Sequence, residues 1–245
     1  MELKIKECFM NAWDKYFSAS ELPIVCFYTN ELNKVEFPAV PEPNANGFTC
    51  IFSQIAPVRK GRARAFNMKN LGCFGSFLPF GFDIRITDDV KNYICNIERV
   101  KKSHKHVESM YEHCPPKQAP AEYLVFKRWD TLEDSDDPQV VFFLGSPDVI
   151  AGLHGLANFD SMTPHGVISP SGTGCDSIVG YPMLELQSEH PRAVLGALDP
   201  SVRIRFKSHI LTFSAPWPKF LTMLENMDES FLATDNWARV KSRIK

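Results

Sequence analysis

No Cys-x-x-Cys pair occurs anywhere in this chain, although it carries seven cysteines among 245 residues. The common zinc-ribbon and redox spacings are thereby excluded. A strong charge of either sign is also missing: 27 Lys and Arg stand against 29 Asp and Glu, a formal net charge of −2. Generic nucleic-acid or membrane-surface binding needs a basic field that this balance does not supply. Long apolar runs are lacking too, since Val140-Val141-Phe142-Phe143-Leu144 falls far short of a bilayer span. The N-terminus, Met1-Glu2-Leu3-Lys4-Ile5-Lys6-Glu7, has charges where a secretory signal needs an apolar core. No internal repeat or low-complexity segment is evident. These absences predict a cytoplasmic protein with reduced thiols, in which cysteines outside the core serve as metal ligands or reactive groups rather than staples.

What is present is the composition of a globular protein, 44% hydrophobic and 23% charged, long enough to bury a large core without disulfides. Apolar residues at helical spacing predict a helix over Leu3 to Phe17, and Pro23 to Tyr28 reads as a buried strand with Cys26 inside it. Residues Val35 to Asn46 carry three prolines and read as a loop. A short helix is expected over Gly47 to Ala56, with Thr49 as N-cap and Pro57 as its stop. Helices are also expected over Asp88–Lys101, Ser103–His113, Ser146–Phe159, Cys175–Gln187 and Pro216–Met227, and from Asp235 onward. Strands are expected at Ala63–Phe66, Glu122–Trp129, Val140–Leu144, Gly166–Ser169, Val194–Ala197, Val202–Phe206 and Ile210–Phe213. This alternation is irregular rather than a βαβ series. It predicts an α+β fold, or an irregular α/β one, with a mixed sheet flanked by helices in a single compact domain of residues 1–245. The acidic loop near 130–138 is the one candidate lobe boundary.

Three cysteines stand apart from apolar runs. Cys73 and Cys175 each follow a glycine, in Gly72-Cys73-Phe74-Gly75 and Gly172-Thr173-Gly174-Cys175-Asp176, and Cys50 opens the short helix. Backbone N–H groups in a turn ahead of a helix lower a thiol's pKa and favour thiolate. Three thiolates from separate segments suit a [4Fe–4S] cluster with one iron open, or a zinc ion with an open fourth position. The plain alternative is three unrelated cysteines in core and turns. Cys175 alone, at its helix start, has the electrostatics of a nucleophile, with His165 and His190 the nearest bases in sequence.

Other features point to an anionic small molecule. The turn Ser171-Gly172-Thr173-Gly174 resembles a phosphate nest but lacks the ending of a P-loop, and a simple tight turn explains it equally. The basic stretch Arg59-Lys60-Gly61-Arg62-Ala63-Arg64 offers cations close in sequence to Cys50, though such runs are commonly solvated helix ends. In this reading Arg59, Lys60, Arg62, Gly172 and Gly174 hold the ligand and the cysteines line its pocket. The cluster His104, His106, His113 and Cys114 reads as polar helix surface, because the flanking lysines repel a cation.

Taken together, several of these segments resemble the domain-of-unknown-function 169 family, archaeal-type cysteine-rich proteins found in bacteria and archaea. The resemblance rests on Cys50 through Ala56 to Lys60-Gly61, on Gly72-Cys73-Phe74-Gly75, on Val140 leading to Pro147-Asp148, and on Gly172 through Ile178 to Tyr181-Pro182. It spans about Leu22 to Phe220; the segment Pro147 to Gly152 departs from the strand and Asn-Pro turn expected there. The family implies no reaction. It does imply that Cys50, Cys73 and Cys175 belong to one pattern, while Cys8, Cys26, Cys95 and Cys114 are structural. The expectation is a thiol-held iron–sulfur cluster or other thiophilic metal with a redox, sensing or partner-assisting role, in contact with a small molecule or a redox partner protein.

Overall fold

The computed structural model describes residues 3–18, 20–32 and 50–244. The chain opens with α1 (Leu3–Phe17) and β1 (Ile24–Thr29). Next come α2 (Ile51–Arg59), β2 (Arg64–Phe66), the one-turn α3 (Phe74–Phe77), α4 (Asp88–Asn92) and α5 (His104–His113). β3 (Tyr123–Arg128) and β4 (Val140–Gly145) precede α6 (Pro147–Asn158), β5 (Val167–Ile168) and α7 (Tyr181–Glu185). The order ends with β6 (Ala193–Gly196), α8 (Pro200–Arg203), β7 (Leu211–Pro216), α9 (Trp217–Glu225) and α10 (Asp235–Lys241). Two π-helical turns, Tyr93–Ile97 and Asp176–Gly180, continue α4 and lead into α7.

All seven strands join one mixed sheet in the order β2-β3-β1-β4-β7-β6-β5, antiparallel except where β5 runs beside β6. This is the α+β class that the irregular alternation predicts. β3 and β4 flank β1, with Ile24 opposite both Arg128 and Phe142. The acidic segment 130–138 thus connects two strands of the same sheet around a shared neighbour.

Strand side chains alternate between faces, and here the two faces feed two different cores. Val25, Phe27, Val125, Val141, Phe143, Phe213 and Ala215 point into a core shared with Phe9, Trp13, Phe17, Phe220 and Trp237 from α1, α9 and α10. Ile24, Cys26, Leu124, Phe126, Val140, Phe142 and Leu144 point the other way, against Ile51, Phe52 and Ile55 of α2 and Ile178 and Val179 of the second π turn. The cysteines of interest lie on this second side.

Three expected elements differ. α2 does not stop before Pro57 but runs through it to Arg59. Pro57 sits in the last turn, where losing one N–H costs little beside the burial of Ile55 and Val58. The strand expected at Val202–Phe206 does not form: Pro200 opens α8, the Asp199 carboxylate caps the Ser201 N–H, and the chain turns from Ile204 onward. Its apolar alternation is misleading, since Val202 is buried while Ile204 is 81% exposed. The helix expected to reach Lys101 ends earlier, because the π turn closes at Ile97 and Arg99 takes a left-handed φ of +56°. Thr49 and the loop 35–46 lie outside the described residues.

Candidate functional site

Cys50, Cys73 and Cys175 all line one cavity of about 190 Å³, together with Tyr93, Glu98 and Asp199. Each thiol stands at the entry to a helical segment. Cys50 and Cys73 are the extended N-cap residues of α2 and α3, and Cys175 precedes the π turn Asp176–Gly180. The other π turn, Tyr93–Ile97, contributes Tyr93 and Ile94 to the wall. π turns inside helices recur at functional sites because they re-aim side chains.

The three segments interlock. The Thr173 hydroxyl lies 3.0 Å from the Gly75 carbonyl, tying the Cys175 turn to the Cys73 turn. Gly174 lies so close to the Phe52 ring that a Cβ there would sit 2.8 Å from it, which ties the same turn to α2. At Gly172 a Cβ would meet the Tyr181 hydroxyl at 2.6 Å and the Asp176 carboxylate at 2.8 Å. The glycines flanking Cys175 are thus explained by close packing.

That turn does not offer a vacant anion cradle. The Thr173 N–H donates to the Asp176 carboxylate at 2.7 Å, and the Gly174 N–H donates to Asp199 at 3.0 Å. Two of the nest's donors are already spent on carboxylates, and an anion would have to displace them. Gly172 and Gly174 line the cysteine cavity, but Arg59, Lys60 and Arg62 do not. Arg59 closes α2 at the end opposite Cys50 and pairs with Glu21, while its carbonyl accepts from Arg128. With a rise of about 1.5 Å per residue, the length of α2 separates that basic stretch from the thiols. The five residues expected to share an anion therefore divide between two ends of a helix.

Burial reverses the expected thiol chemistry. It pushes the Cys175 thiol well above its ordinary value, and the neighbouring Cys73 and Cys50 push it further. The Cys73 thiol is raised by burial and by Cys50, against smaller opposing influences from the Gly75 backbone and the Ser76 side chain, whose hydroxyl donates to the Cys73 carbonyl at 2.7 Å. Without a bound cation, Cys73 and Cys175 are neutral thiols, because loss of solvation outweighs the turn donors. Neither His165 nor His190 lines the cavity, so Cys175 has no imidazole base there. Among the described residues no three His, Cys, Asp or Glu side chains are grouped as a single metal ion requires.

The remaining cysteines divide. Cys26 is buried in β1, where burial raises its thiol. Cys8 is exposed on α1 and is not a core residue, and Cys114 lines a separate cavity of about 280 Å³. Sequence reasoning misses Tyr93, Glu98, Tyr111 and Asp199, which complete the cysteine cavity. For Asp199 a signal exists: Asp-Pro-Ser is an N-cap followed by proline at the first helical position. For Tyr93 and Glu98 there is none, since a π turn leaves no periodic trace.

Beside the thiols lies a larger chamber of about 490 Å³ that shares Ile94, Glu98, Val100, Tyr111 and the 172–174 turn with the cysteine cavity. Its far wall includes Ala197, whose φ of +59° is left-handed, as is that of Arg99 on the near wall. Left-handed non-glycine residues cost energy and tend to cluster at ligand-binding places.

No helix among the described residues is long and apolar enough to cross a membrane. The model of the uncharacterised ArCR family, domain of unknown function 169, matches residues 15–226, a span that includes all three cavity cysteines. No curated protein and no solved structure matches the chain.

Proposed function

The chain belongs to the uncharacterised ArCR family, domain of unknown function 169, and on that premise we propose that Cys50, Cys73 and Cys175 hold an iron–sulfur cluster in a cytoplasmic protein with a redox or sensing role. The observation that carries this reading is that thiols from three distant segments line one cavity. A four-iron cluster spreads its cysteine sulfurs farther apart than a single ion does, so the lack of a close three-residue group disfavours zinc more than a cluster. At about 190 Å³ the cavity is larger than a bare ion needs. Cationic iron would supply the charge that stabilises thiolates here, since burial alone holds Cys73 and Cys175 neutral. The Gly75 backbone beside the Cys73 thiol is a polar neighbour of the kind that tunes a cluster's potential.

A second reading keeps the thiols neutral, as wall atoms of a small-molecule pocket. The adjoining chamber of about 490 Å³ favours it, being within the range of roughly 300–1,000 Å³ common for ligand sites. Its ligand would not be an anion held by Arg59, Lys60 and Arg62, which lie elsewhere. The two readings part on purification without oxygen, followed by a visible spectrum and assays of iron, zinc and sulfide. Coloured protein with matched iron and sulfide is expected. Colourless, metal-free protein that gains thermal stability from a small metabolite would favour the second reading instead.

A further inference from the structure

The described residues leave eight large hydrophobic side chains exposed, and four of them fall in two short stretches: Ile97 and Val100, then Leu198 and Ile204. Those stretches meet in space. Val100 and Leu198 line the same chamber, and Val100 also lines the cysteine cavity alongside Arg205, the chain neighbour of Ile204. Val100 and Leu198 thus stand on the walls of the proposed site, with Ile97 and Ile204 exposed close by in the same two stretches.

The charge around them is one-sided. Arg99, Lys102, Lys105, Arg205 and Lys207 are exposed in or beside the two stretches. None of the five forms an ion pair among the described residues. The two acids of the same stretches are engaged locally: Glu98 accepts from the Tyr93 hydroxyl at 2.5 Å, and Asp199 accepts from Gly174 and Ser201. On a chain of net charge −2 this is a local reversal of sign. Apolar centres within rings of unpaired like charge mark docking surfaces, and opposite charge on the partner steers the encounter.

We infer that this rim docks an acidic partner protein, whose apolar centre seats on Ile97, Val100, Leu198 and Ile204 beside the cavity mouth. An anionic membrane fits less well. The rim's four apolar side chains are all aliphatic, without the Trp or Tyr of an interfacial belt. Neither stretch forms a long amphipathic helix, α8 being only four residues long. What the partner exchanges rests on the proposed cluster; the docking itself does not.

The probe is a plant-type [2Fe–2S] ferredoxin, a small acidic electron carrier, titrated against the full chain both as purified without oxygen and after metal removal. Binding to both forms is expected, weakening about tenfold as salt rises from about 50 to about 200 mM. Lys102→Glu with Lys207→Glu should abolish it. Leu198→Ser with Ile204→Ser should weaken it about tenfold, while Met162→Ser, at an exposed apolar residue that lines neither cavity, should leave it unchanged. Circular dichroism checks that the variants fold. Absent or salt-insensitive binding, rim variants that bind like the parent, or a preference for phosphatidylserine vesicles would overturn the inference. Rim variants that alter self-association instead would assign the surface to a second copy of the chain. Binding to the metal-free form upholds the surface even where no cluster is found.

Discussion

The two faces of the sheet are built to different standards. One is sealed by large aromatic side chains: Trp13 stacks on Phe17 at 4.3 Å, Trp217 on Phe220 at 5.3 Å, and Phe9 packs on Trp129 at 4.5 Å. Even its buried charge is satisfied. Lys127, whose side chain is 1% exposed, donates to Asp136 at 2.9 Å and reaches Glu133 at 3.2 Å. The other face is covered by short helices, π turns and glycine turns, and it holds the cysteine cavity and the chamber beside it. It also leaves the buried hydroxyls of Thr212 and Ser214 without a hydrogen-bond partner among the described residues. Dense aromatic packing stabilises one side, so the other can tolerate voids, neutral buried thiols and left-handed residues. The densest aromatic packing and the cysteine cavity thus lie on opposite faces of one sheet.

Substitutions that cross this division test it, and the largest effects belong on the sealed face. Asp136→Ala leaves the Lys127 ammonium buried with its main partner gone, and should cost about 3–5 kcal/mol in urea unfolding. A loss below about 1 kcal/mol would mean that the pair is not part of the core. Phe143→Ala opens a cavity among Phe9, Trp13 and Phe220. It should likewise cost about 3–5 kcal/mol, with a Tm lowered by roughly 10 °C.

The cavity face should answer to pH. Burial raises the Asp176 carboxyl from 3.8 to about 6, against the opposing hydrogen bonds from Thr173. Folded protein then holds that proton more tightly than the unfolded chain does. The contribution is complete below about pH 4 and is lost as pH climbs through about 6, a decline on the order of 3 kcal/mol for this group. Asp176→Asn in metal-free protein should flatten that decline; an unchanged pH profile would remove Asp176 as its source.

Smaller effects are expected from the thiols and hydroxyls themselves. Cys73→Ser should change metal-free stability by about 1 kcal/mol or less, yet lose the bound metal. A large loss of stability would recast Cys73 as a packing residue. Ser214→Ala, which removes an unsatisfied buried hydroxyl, should be neutral or stabilising by up to about 1 kcal/mol. Destabilisation would reveal a hydrogen bond, to water or protein, that the cavity face needs.

The sealed face is the more legible from sequence. The unbroken apolar run Val140–Leu144 and the helical spacing in Leu3–Phe17 are direct imprints of a strand buried on both faces and an amphipathic helix. The cavity face is legible in its cysteines and glycines, whose turns the structure does bring together. It is not legible in its electrostatics. A glycine turn before a helix suggests a low thiol pKa, but the desolvation that reverses this depends on Phe52, Val202 and other residues distant in sequence. Arg59, Lys60 and Arg62 are close to Cys50 along the chain but stand at the other end of α2, because a helix hides its length in a sequence. Alternating Val202, Ile204 and Phe206 imitate a strand, and only the Asp199-Pro200 cap betrays the turn of helix.

The most direct test is to count iron and acid-labile sulfide in protein purified without oxygen, comparing the parent chain with Cys50→Ser, Cys73→Ser and Cys175→Ser, and with Cys8→Ser and Cys26→Ser as controls. A shared four-iron cluster predicts about four of each per parent chain, a loss in each of the first three variants, and no loss in either control. Iron and sulfide absent from the parent, or retained in full by any of the three cavity variants, would contradict a cluster held jointly by Cys50, Cys73 and Cys175.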